Sequence, residues 1–202
     1  MKPSPGPSSL NSEPVLAPPG AGLPWAQHLL LKYWVYPFIA QRTTWQRSEE
    51  NFYKVHQLIQ KELIGLTDLQ MQKRCLVPPQ LGLEDSSRYW SILMTLEHLL
   101  IVGRGIFQVV SALTAGRIPD GKADTATVKP AAQFYDRNIV LEFNRFVEED
   151  FKQFNKTIQN RQSSLTFQHP WFGMMKAQSW YWLLATHGMI HLKQIRAIKK
   201  CL

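Results

Sequence analysis

His98, His187 and His191 are the side chains of this chain whose type and spacing allow joint chemistry. The last two stand four residues apart in His187-Gly188-Met189-Ile190-His191. Residues i and i+4 of a helix lie one above the other on the same face, so both imidazoles can reach one point. Helical spacing continues the stripe through Trp180, Leu184, Ile195 and Ile198, with Gln194 beside it. That is an apolar face, where an unpartnered polar ring is costly. His98 lies far upstream on a second apolar stripe, in the order Trp90, Met94, His98, Ile101. Two converging helices can bring three neutral imidazoles to one divalent cation and leave a fourth position open.

The alternative is structural. A histidine on an apolar face is often a hydrogen-bonded core residue, and His98 alone fits that reading as well as a ligand. The zinc-peptidase pattern H-E-x-x-H is absent, because Gly188 stands where its general-base glutamate would be. Gln194, one turn beyond His191, either orients a ligand or a bound water, or is a polar residue at the solvent edge. Glu97 adjoins His98 but points about a quarter-turn away, which suits a surface or inter-helix charge better than a base. Trp90, Trp180 and Trp182 can wall a pocket or fill the core. His56 is left outside the ligand set, His169 before Pro170 is expected to brace a loop, and His28 carries no signal.

His169-Pro170-Trp171-Phe172-Gly173, then Trp180, then His187, His191 and Gln194 as H-x-x-x-H-x-x-Q, resemble the last helix of the DinB-like (YfiT-like) superfamily. The helix containing Leu96-Glu97-His98-Leu99 is similar to that family's second helix. The resemblance spans roughly residues 43–200. It implies an all-α four-helix bundle with a zinc- or nickel-type divalent metal on His98, His187 and His191 and one open position. It also implies activation of a low-molecular-weight thiol for transfer to an electrophilic small molecule. A non-catalytic bundle with a structural or vestigial metal site is the alternative. An open cavity at the metal would distinguish the enzyme from a site closed by a fourth protein ligand. The resemblance further implies a homodimer, and the aromatics near Tyr33, Trp34 and Tyr36 could serve that contact.

These residues need elements to carry them. At 202 residues and 45% hydrophobic content, the chain has room for one domain of about 150–160 residues plus appendages. Residues 1–22, rich in Pro, Ser and Gly, are expected to be a disordered extension. Residues 23–42 are expected to form a helical appendage ended or kinked by Pro37, and residues 43–202 the bundle. The appendage is too short and too polar to span a membrane and is expected to pack on the bundle, with an interfacial helix that touches lipid or a partner as the alternative.

The first bundle helix is predicted over about Thr44 to Leu66, with Phe52, Val55, Ile59 and Leu63 inward. The second, about Ser86 to Ala115, is apolar nearly all round and is expected to be the most buried. Gly103 and Gly105 inside it mark a close helix approach or a kink. The third is predicted over about Ala132 to Asn160, with Ile139, Phe143, Phe146, Val147, Phe154 and Ile158 inward. A loop over Arg161 to Gly173 leads to the fourth, about Met174 to Lys200.

The net charge of +8 raises nucleic-acid binding. Basic residues cluster only at Lys193, Arg196, Lys199 and Lys200, and no nucleic-acid-binding motif is present, so no nucleic acid is expected as partner. Cys75 and Cys201 form no disulfide framework and are read as separate thiols, which sets a reducing cytoplasm as the expected location.

Overall fold

The computed structural model describes residues 13–131 and 137–202. The fold is mostly helical. Four long helical segments form a bundle: α3 (Trp45–Leu63), α5 (Ile92–Thr114), the continuous run from α6 (Asn138–Arg145) to α7 (Phe151–Thr157), and α8 (Ala177–Lys199). The expected residues 1–12 of the extension and the first turn of the third helix, 132–136, lie outside the described residues.

Local chemistry sets the starts. Thr44 caps α3 by accepting the backbone N–H of Arg47, and Ser91 caps α5 by accepting that of Met94. Thr67 and Gln70 form a reciprocal capping box on the short α4 (Asp68–Gln72). Phe52, Val55, Ile59 and Leu63 make the buried stripe of α3, as their spacing predicts.

α5 is long and apolar enough to cross a membrane, yet more than half of its most apolar window is buried inside the fold, as in a core helix. α8 is buried as extensively as α5, because it packs against both α3 and α5. The expectation that α5 alone is the most buried is therefore corrected. The two helices that carry the histidines share the centre of the bundle.

A wider π turn (Phe146–Asp150) joins α6 to α7. It shifts the inward register by one residue, so Phe151 joins Phe143, Phe146, Val147 and Phe154 in the core. Ile139 and Ile158, predicted inward, are only half-buried.

Two short antiparallel ladders replace what the sequence suggests as helix or loop. β1 (Cys75–Leu76) pairs with β2 (Tyr89–Trp90), so the predicted start of the second helix at Ser86 is instead a 3-10 turn and a strand. β3 (Thr166–His169) pairs with β4 (Gly173–Lys176), placing His169 opposite Gly173. Gly173 has φ +77°, a left-handed conformation that closes this hairpin. The fourth helix consequently starts at Ala177.

Cys75 and Cys201 are joined by a disulfide across 126 residues, which corrects the reading of two separate thiols. The end of α8 returns beside β1, a proximity that no local pattern announces.

Residues 13–22 have no regular helix or strand, and they touch the body: Ala17 N–H donates to Asp85, and Arg74 pairs with Glu13. The appendage is helical from α1 (Trp25–Leu30) through a π turn (Leu31–Val35) to α2 (Tyr36–Phe38). Proline lacks the N–H of a regular helix and clashes with the preceding turn, and the α-helical path gives way just upstream of Pro37.

Candidate metal centre

The three predicted histidines meet. Nε2 of His187 lies 3.1 Å from Nε2 of His98 and 3.1 Å from Nε2 of His191. One nitrogen from each ring falls within 4.8 Å of the others, and no further His, Cys, Asp or Glu among the described residues joins the group. Two nitrogens on a tetrahedral ion at about 2.05 Å stand about 3.3 Å apart, so the spacing fits a divalent metal.

The outer nitrogens are committed elsewhere. Nδ1 of His98 is 2.6 Å from the carbonyl oxygen of Val128. Nδ1 of His191 is 2.7 Å from Oε1 of Gln194, whose Nε2 donates to the Ser87 carbonyl at 2.7 Å. A carbonyl only accepts, so Ser87 fixes which end of the Gln194 amide faces His191. Both imidazoles therefore carry their proton on Nδ1 and turn a lone pair inward at Nε2.

Burial keeps all three rings neutral. It holds His98 and His187 well below the usual imidazole range, with the neighbouring histidines adding to the effect. Burial lowers His191 to about 4, opposed by its bond to Gln194. Neutral rings are the ligand form.

Of the predicted second layer, Gln194 is fully buried rather than at the solvent edge. Trp90 packs behind the triad, its ring nearly parallel to that of His191 and 5.0 Å from that of His98. Trp180 and Trp182 line a cavity of about 440 Å³ that opens on the triad. Glu97 is half-buried beside His98 on α5.

Tyr36, expected among the exposed aromatics, is buried. It stacks on Phe172 and donates its hydroxyl to the Met174 carbonyl. His56 is a core residue whose Nδ1 donates to the Phe52 carbonyl at 2.7 Å, well packed between Phe52 and Phe143.

The cavity holds groups that pattern reading missed. Lys129 binds Glu84 Oε2 at 2.5 Å and Ser87 Oγ at 2.9 Å, and its ammonium stands over the Trp90 ring. The other carboxylate oxygen of Glu84 is buried without a hydrogen-bond partner. These residues come from irregular segments with no periodicity to flag them.

His169 braces its loop by accepting the Trp171 N–H at Nδ1, as expected, and it also lines the cavity. Burial pushes it down to about 3, so it is neutral and carries its proton on Nε2. His28, without a sequence signal, donates to the Trp171 carbonyl. In the basic cluster of α8, Arg196 and Lys199 are paired with Glu62.

No curated protein matches the chain. Its fold is similar to the solved structure of TT2238, described as a four-helix bundle protein. That match has a TM-score of 0.51 and 18% identity, and covers 76% of this chain and 98% of the other. The family model for the DinB family matches residues 72–198, a span that contains all three histidines and more than half of the chain. The chain belongs to the DinB family.

Proposed function

We propose that the protein is a metal-dependent enzyme in which His98, His187 and His191 hold one divalent ion, zinc or nickel. Its substrates would be a low-molecular-weight thiol and an electrophilic small molecule. The observation that carries this reading is the convergence of three Nε2 atoms at the wall of a cavity, with two of the Nδ1 protons already committed to carbonyl oxygens. A bound divalent ion would supply an open coordination position that holds sulfur as thiolate or acidifies water.

The remaining work falls to the chain itself. Gln194 fixes the orientation and tautomer of His191, and the Val128 carbonyl does the same for His98. Trp180, Trp182 and Phe172 give the cavity apolar walls that exclude water, while the Lys129–Glu84 pair sets charge beside the triad. His169 offers a neutral N–H donor.

The cavity favours catalysis over a purely structural site, since the three-histidine group contains no fourth protein ligand among the described residues. Elemental analysis of tag-free protein tests the reading, beside the double variant His187→Ala/His191→Ala. About one equivalent of metal in the parent and none in the variant is expected, followed by thiol-dependent consumption of electrophiles in a screen. No metal in either protein, even after reconstitution with zinc or nickel, would overturn it.

A further inference from the structure

The appendage helix has two unlike faces. Its inner face is fixed to the body: Gln27 Oε1 accepts the Gly82 N–H, His28 donates to the Trp171 carbonyl, and Tyr36 donates to the Met174 carbonyl. Leu31 and Val35, also facing inward, line the cavity of the histidine triad. With that face anchored, the opposite side cannot turn inward.

The opposite side is apolar and aromatic. Trp25 is 77% exposed, Trp34 65%, Tyr33 57% and Phe38 51%, with Leu29 and Leu30 between them. A soluble monomer seldom presents so many large apolar side chains together. The cations of the segment lie beside these rings, Lys32 over Tyr33 at 5.5 Å and Arg42 over Phe38 at 5.2 Å. From Pro14 to Ser48 the sequence contains no Asp or Glu.

We propose that this face docks on an anionic membrane surface, with the helix lying in the plane of the interface. Tryptophan and tyrosine suit the boundary between headgroups and acyl chains, and Lys and Arg beside them reach the anionic headgroups. Charge decides against a second copy of the chain. A two-fold contact through this face would bring Lys32 and Arg42 of both copies together, with no acidic residue in the segment to offset them. Anionic lipid supplies that offset. The arrangement also sets the part of the cavity wall formed by Leu31 and Val35 about one helix diameter from the lipid.

Vesicle co-sedimentation of the full chain tests the proposal, using phosphatidylcholine alone and phosphatidylcholine mixed with phosphatidylglycerol. The parent is expected to bind the mixed vesicles, with a blue shift of tryptophan emission, and the neutral ones on the order of tenfold more weakly. The variant Trp25→Ser/Trp34→Ser should lose binding to both. Its circular dichroism and metal content should not change, because both side chains are exposed. Lys32→Gln/Arg42→Gln should reduce binding to the anionic vesicles alone. Absence of parent binding to the mixed vesicles would overturn the proposal. So would a stable dimer by light scattering that the Trp25→Ser/Trp34→Ser variant splits, since a second copy would then be the occupant.

Discussion

Oε1 of Gln194 accepts the Nδ1 proton of His191 at 2.7 Å, and the Ser87 carbonyl on the other side of Gln194 leaves its amide no alternative orientation. The inward lone pair of His191 is thus set by a residue that does not itself face the converging nitrogens. Replacing such a partner weakens metal binding by roughly 10- to 100-fold. Gln194→Met is expected to show that loss in a competition titration against a chromogenic chelator, with the protein still folded by circular dichroism. An unchanged affinity would reduce Gln194 to a packing residue.

Glu84 and Lys129 form a buried ion pair at the edge of the cavity, with side-chain exposures of 3% and 15%. Removing one partner of such a pair leaves an uncompensated charge and costs about 3–5 kcal/mol, whereas replacing both with apolar residues is often close to neutral. Lys129→Met should therefore lower stability in urea by that order, and Glu84→Leu/Lys129→Met should recover most of it. If the double variant is no more stable than the single one, the cost lies in the lost contacts of the ammonium with the Trp90 ring and Ser87.

What could be read from the sequence follows from the range of the interactions. The stripe of Phe52, Val55, Ile59 and Leu63 and the stacking of His187 over His191 are local consequences of helical period, and both hold in the fold. His98 joins them across 89 residues: its place on a second apolar stripe allows that meeting, and the family resemblance implies it. The Cys75–Cys201 bond, the Lys129–Glu84 pair and the pairing of Cys75 with Trp90 are contacts between loops, two-residue strands and a helix end that are distant in sequence. No period marks them. Phe151 was missed for a different reason. The π turn before it moves the inward position by one residue, and a search at constant helical period passes over it.

Gly103 and Gly105 stand two residues apart on the same unbroken helix and do different things. A Cβ on Gly103 would run into the ring of Phe146, so this glycine allows the close approach of α5 and the third helical segment. A Cβ on Gly105 would have no atom within 4 Å. Gly103→Ala is expected to destabilise the protein by roughly 1–2 kcal/mol after the gain in helix propensity, and Gly105→Ala to stabilise it by about 0.5–1 kcal/mol. Thermal melts of the two variants should shift in opposite directions. A stabilising shift in both would mean that Phe146 swings aside at no cost.

Burial lowers the His56 pKa to about 4 from an ordinary value of 6.5, despite the bond to the Phe52 carbonyl. In acid the unfolded chain takes up this proton first, which draws the equilibrium toward unfolding. The contribution to stability is full above about pH 6.5, declines as pH falls toward 4, and changes no further below that. One proton over that interval amounts to at most about 3 kcal/mol. His169 and the triad histidines shift in the same direction, so the parent's acid limb should be steeper than one group explains. Urea unfolding of metal-free parent and His56→Phe across that pH range isolates the His56 share. The variant should lose less stability by that order, and identical slopes would show that His56 can be protonated in the folded core at little cost.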